Sequence, residues 1–79
     1  MTPADILNEA IGAALAAGYP CSGWTLQADA RGYVAWLFHE PDDDLVQRNV
    51  LHGGCEYHRT PEEAATWCLL QARALGSVS

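Results

Sequence analysis

Lysine is absent from this chain, and four arginines, Arg31, Arg48, Arg59 and Arg73, supply all of its fixed positive charge. Ten aspartates and glutamates outweigh them, for a formal net charge of −6 over 79 residues. A protein that grips a nucleic-acid backbone must replace condensed counterions with a cluster of its own cations. Four dispersed arginines form no such cluster, so the composition argues against direct nucleic-acid binding. Long apolar runs are also missing; none approaches the ~18–20 residues of a membrane span. The opening Met1-Thr2-Pro3-Ala4-Asp5 lacks the basic residues that start a secretory signal. The only cysteines are Cys21, Cys55 and Cys68, an odd number that cannot all pair within one chain. Together these features point to a reducing, cytoplasmic setting. There is no glycine–serine nucleophile elbow, phosphate loop or dinucleotide fingerprint. A chain this short has little volume for a substrate cleft. The expectation is a protein that is not an enzyme, with no catalytic residue and no cofactor.

What is present suits a globular domain. Apolar residues make up 49% of the chain, and no linker or low-complexity run divides it, so a single compact domain over residues 1–79 is expected. Its core is worth only ~3–5 kcal/mol net, which puts weight on idealised local structure, a staple or a partner. Local structure is well signalled. Thr2-Pro3-Ala4-Asp5 and Thr60-Pro61-Glu62-Glu63 both place threonine at an N-cap, proline at the first helical position and a carboxylate within the first turn. Each precedes an apolar-periodic segment that stops at a glycine, Gly18 or Gly76. Helices are predicted at about 3–17 and 61–75. In the first, Ile6, Leu7, Ala10, Ile11 and Ala14 share one arc. In the second, the core arc is Ala64, Ala65, Cys68, Ala72 and Leu75, and a second strip, Trp67, Leu70 and Ala74, lies on another side.

Between the helices, Trp24 to Ala28 and Tyr33 to His39 read as a hairpin joined by Asp29-Ala30-Arg31-Gly32. A type I turn closed by a left-handed Gly32 bulge would put Trp24 opposite Phe38, Leu26 opposite Trp36 and Ala28 opposite Val34, all on one face. Glu40-Pro41-Asp42-Asp43-Asp44 is an acidic connector. Leu45 to Leu51 fits a strand or a short helix capped by Asp42 or Asp43, and a third antiparallel strand is expected somewhere in 46–58. The predicted fold class is α+β: helix, three-stranded antiparallel meander, helix, with both helices on one face of the sheet.

One ligand-like spacing occurs, His52-x-x-Cys55-x-x-His58, with Cys21, Cys68 and His39 as potential completing groups for zinc. Structural zinc sites are usually built on Cys-x-x-Cys pairs, which this chain lacks, and three residues at that spacing on an extended segment do not converge. No metal ligand is therefore assigned, and a zinc-stapled module stands as the weaker alternative. Cys55 beside His52 or His58 could form a reactive pair, but no orienting carboxylate is specified. Asp42, Asp43 and Asp44 lack the alternating ligands and glycine of a calcium loop. They are either a solvated connector or, with Glu40, Glu56, Glu62 and Glu63, an acidic docking surface for an arginine-rich groove. Trp24 and Trp36 are expected in the core. Trp67, off the main stripe with Leu70, either anchors an interface or is covered within the chain.

The order helix, three strands, helix resembles the double-stranded-RNA-binding domain, whose second helix starts with a phosphate-gripping lysine cluster. Here the matching start is Thr60-Pro61-Glu62-Glu63, of opposite charge, so the resemblance implies a similar fold and not RNA binding. The lysine-free acidity, the run from Glu40 to Asp44, and the Glu62–Glu63 helix start with its Trp67–Leu70 strip also resemble small phage- or mobile-element-encoded inhibitors of the anti-CRISPR kind. That resemblance implies a non-catalytic protein, acting in the host-cell cytoplasm. It would occupy a basic, nucleic-acid-binding surface on a larger protein partner through Asp42, Asp43, Asp44, Glu62, Glu63, Trp67 and Leu70. A homodimeric accessory or structural domain is the alternative.

Overall fold

The computed structural model describes residues 2–39, 48–51 and 56–76. Helix α1 (Pro3–Ala16) starts in a complete capping box. The Asp5 N–H donates to Thr2 Oγ1 and the Thr2 N–H donates to Asp5 Oδ2, both at 3.2 Å. It ends in a Schellman arrangement about Gly18, whose φ is +87°. The Tyr19 N–H reaches the Ala14 carbonyl and the Gly18 N–H reaches that of Leu15, both at 3.0 Å, satisfying the last-turn acceptors. Helix α2 (Pro61–Leu75) is capped by Thr60. Gly76 ends it in right-handed geometry and lies against Ala17, so the C-terminal ends of the two helices meet.

The helices pack more extensively on each other than on the sheet. Their shared surface is made of small side chains: Ala10, Ala14, Ala64, Ala65, Cys68 and Ala72 are fully buried, with Leu7. Small residues let helix axes approach toward the short end of the usual 8–10 Å range. Beneath them lies the hairpin of β1 (Gly23–Asp29) and β2 (Gly32–His39), with Ala35 and Leu37 fully buried and Trp24 and Leu26 half-buried in the same cluster. The Trp24 indole N–H donates to Asn8 Oδ1 at 3.0 Å, tying β1 to α1.

Two sequence expectations are corrected. The hairpin register is shifted by one residue: Trp24 pairs with Leu37, Leu26 with Ala35, and Asp29 with Gly32 across a two-residue loop. Such a shift turns every β2 side chain over. Trp36 and Phe38 therefore lie half-buried on the face away from the helices, where core positions were expected, and Val34 is buried there with them. The bulge is not used because Asp29 closes the loop itself, its Oδ1 accepting the Arg31 N–H at 2.7 Å. Gly32, at φ +123°, serves a different need. A Cβ there would collide with the His58 carbonyl oxygen, which approaches to bond Tyr33.

The three-stranded meander is also not what forms. The layout is helix, strand, strand, helix around a two-stranded antiparallel hairpin. Among the described residues, what runs beside β2 is a two-residue rung, β3 (Arg48–Asn49), opposite His39 and Phe38, and an isolated bridge from His58 to Tyr33. The chain leaves the sheet after Asn49 because its Oδ1 accepts the Leu51 N–H at 2.9 Å, an Asx turn that bends the backbone. Val50 and Leu51 then both turn into the core, which the strict alternation of a strand forbids. Of the segment 45–51, expected as a strand or a short helix, Arg48 and Asn49 are extended in the β3 rung, and 45–47 lie outside the described residues.

The observed faces have a direct consequence. Leu37→Ala should cost about 2–5 kcal/mol through its cavity, and Trp36→Ala should cost less. Thermal or urea melts of the two variants check this; a larger loss at Trp36 would reinstate the other register.

Candidate functional site

The tip of the hairpin and the start of α2 enclose an open cleft of about 620 Å³, lined by Asp29, Ala30, Arg31, Gly32, Tyr57, His58, Arg59 and Glu63. Its floor is set by backbone. Tyr33 and His58 exchange two N–H···O bonds of 2.8 Å, which brings residues 57–59 alongside β2 and delivers the chain to the Thr60 cap. On one wall, Asp29 gathers three donors. The Arg31 N–H donates to Oδ1 at 2.7 Å, Arg31 Nη2 donates to Oδ2 at 3.1 Å, and the Tyr57 hydroxyl donates to Oδ2 at 3.2 Å. The Arg31 guanidinium also stacks over the Tyr57 ring, 4.3 Å from its centroid. These contacts hold the Asp29 carboxyl below the ordinary aspartate range, first through the Arg31 backbone N–H and then through its guanidinium. They hold Arg31 more firmly protonated, chiefly through the bond to Asp29.

The opposite wall belongs to α2. Glu63 accepts the Arg59 N–H at 3.3 Å on Oε2, while its own N–H donates to Thr60 Oγ1 at 3.1 Å. This variant of the capping box reaches one residue further back than the pairing in α1. Between the walls, the His58 ring lies 5.8 Å from the Trp67 ring, tilted by 44°. Its Nε2 is buried, 3.9 Å from a Glu56 carboxylate oxygen, with no hydrogen-bond partner among the described residues.

The expected docking residues divide. Glu62 and Glu63 stand exposed in the first turn of α2. Trp67 is half-buried against the core and against His58, so it bridges the two roles the sequence left open. Leu70, one turn further, is 56% exposed. The spacing of Glu63, Trp67, Leu70 and Ala74 places them on one stripe of α2, and Glu63 joins that stripe to the cleft. Asp42, Asp43 and Asp44 lie outside the described residues, as do His52 and Cys55. Among the described residues no three His, Cys, Asp or Glu side chains gather to hold a metal ion. Cys68 lies deep between the helices. The half-buried Cys21 thiol is shifted upward by burial, away from the reactive thiolate form.

Sequence reasoning did not single out Asp29, Arg31 and Tyr57. The Asp-x-Arg spacing at a hairpin tip was the available signal; the arrival of Tyr57 from 28 residues away had none. Chemically, the cleft offers a hydrogen-bonded carboxylate, a stacked guanidinium and aromatic edges; of these, arginine and tyrosine are concentrated where proteins recognise one another. No protein family matches the chain, and no curated protein or solved structure is significantly similar to it. Among the described residues no helix is long and apolar enough to cross a membrane.

The depressed Asp29 carboxyl has a testable sign. The folded state binds fewer protons than the unfolded one between the two carboxyl values. Its stabilisation is therefore complete above the ordinary aspartate range and is lost as pH falls through the lower, folded value. Carbon-detected NMR titration should give Asp29 a midpoint below that of a free aspartate. Arg31→Ala should raise it part of the way, since the backbone donor remains. No movement would remove the guanidinium from its partners.

Proposed function

We propose that this chain is a small acidic binding protein, without catalysis of its own, that occupies a basic surface on a larger protein. The observation that carries this is Leu70. A leucine 56% exposed sits on the same helical stripe as half-buried Trp67, just beyond the exposed carboxylates of Glu62 and Glu63. An apolar anchor beside acidic groups divides the work of an interface: desolvation of the anchor sets the off-rate, and the charges steer encounter. Tyr57 and Arg31 at the cleft rim extend the same surface with side chains frequent at interface centres.

A net charge of −6 with no lysine selects a cationic partner. Proteins that handle nucleic acid expose cationic surfaces, because they must neutralise phosphates. The narrower reading is an inhibitor of a bacterial defence complex, of the anti-CRISPR kind, working in the host-cell cytoplasm. It rests on the acidity and small size of the chain and on its resemblance of kind to such inhibitors.

The test is capture from bacterial lysate followed by competition. The captured protein should be a basic nucleic-acid binder that loses its nucleic acid when this chain is added. Leu70→Ala should weaken that complex by about 1–2 kcal/mol while shifting the stability of the free protein by no more than ~0.5 kcal/mol. Glu62→Lys with Glu63→Lys should slow association most at low ionic strength. A captured protein that keeps its nucleic acid, or binding indifferent to all three substitutions, would sink the proposal.

A further inference from the structure

Among the described residues one edge of the hairpin, that of β1, carries no strand, and hydrogen-bond phase shows which groups it presents. Tyr33 commits both backbone groups to His58, and the Leu37 carbonyl accepts the Val50 N–H at 2.9 Å. Alternate residues of β2, Tyr33, Ala35 and Leu37, thus face away from β1. Their partners Ala28, Leu26 and Trp24 are the widely spaced pairs, whose own N–H and C=O groups point to the outer edge of β1. The strand order β1-β2-β3 leaves that edge terminal, and no described backbone group bonds it. Edge strands are usually blunted by lysine, proline, a bulge or a cover. β1, Gly-Trp-Thr-Leu-Gln-Ala-Asp, has neither lysine nor proline and pairs with β2 without a bulge over its whole length.

We propose that the occupant of this edge is a second copy of the chain, joined through antiparallel β1–β1 pairing about a two-fold axis at Leu26. The strand is self-complementary in that register. Leu26 meets Leu26 of the second copy, Trp24 meets Ala28, Thr25 meets Gln27 and Gly23 meets Asp29. The outward pairs at 24, 26 and 28 are then the closely bonded ones, each exchanging its N–H and C=O. The largest side chain faces a small one. Asp29, the only charge in β1, faces a glycine and is already engaged by Arg31, so two acidic copies join without opposing carboxylates. Cross-strand neighbours share a face, so the helices of both copies lie on the same side of a continuous sheet. This pairing does not use Glu62, Glu63, Trp67 or Leu70, which stay available to a larger partner.

Sedimentation equilibrium of the full chain from micromolar to millimolar concentration tests this, with amide hydrogen exchange at both ends of the range. The expected result is a reversible dimer in which the Leu26 and Ala28 amides exchange slowly when concentrated and rapidly when dilute. Ala28→Pro removes an outward N–H that makes no bond within the hairpin. It should retain the circular dichroism spectrum of the native protein and sediment as a monomer. A chain that stays monomeric throughout overturns the proposal. So does a dimer whose Leu26 and Ala28 amides exchange rapidly, or one that survives Ala28→Pro and is lost in Leu70→Ala.

Discussion

Two backbone hydrogen bonds of 2.8 Å between Tyr33 and His58 organise most of what surrounds them. They require Gly32, because any side chain there would meet the His58 carbonyl. They fix the chain at His58, two residues before the Thr60 cap, and so decide where α2 begins and how it lies on the sheet. They also set the cleft, since Tyr57 and Arg59 flank the bridge and meet Asp29 and Glu63 on either side. Buried backbone groups must be paired. A hairpin of two strands pairs only half of the β2 backbone through β1, and among the described residues short pieces supply partners on its other edge: His58 at one end, Arg48–Asn49 and Val50 at the other.

The second organising feature is the choice of small side chains where the helices meet. Ala10, Ala14, Ala64, Ala65, Cys68 and Ala72 fill an interface without a large aromatic residue. Bulk is moved outward, to Trp24 and Trp67 at the margins of the core and to Trp36 and Phe38 on the far face of the sheet. Trp36 in the helix-facing position of Ala35 would hold the helices off the sheet. This explains why the one-residue register with small and medium β2 residues inward, Ala35 and Leu37, is the one that closes.

Electrostatics divides the surface. Arg31, one of only four fixed cations, is committed to Asp29 and Tyr57 within the chain. Asp5 serves the α1 cap, and its carboxyl is held low chiefly by the Thr2 backbone N–H. Glu63 serves the start of α2. Glu62 carries its charge at the helix N-terminus, where the dipole favours it, and remains outward-facing. Acidity in this protein therefore has a local structural use at both helix starts and a surplus that faces solvent.

The helices were legible from residues alone. Thr-Pro grammar, first-turn carboxylates and a 3.6-residue apolar period are short-range signals, and α1 and α2 start and stop within a residue of where those signals place them. The existence of the hairpin and the inward face of β1 were equally local. Register was not, because two loop geometries fit Asp29-Ala30-Arg31-Gly32, and the choice between them depends on the size of the inward β2 side chains and on the distant His58 carbonyl. The third strand failed for a similar reason: an Asx bond at Asn49 and burial of two consecutive residues, Val50 and Leu51, override strand-like composition. Of the binding surface, Glu62, Glu63, Trp67 and Leu70 could be nominated by helical spacing. The Asp29–Arg31–Tyr57 cluster could not, since residues 28 positions apart meet only once the His58 bridge has folded the chain back on β2.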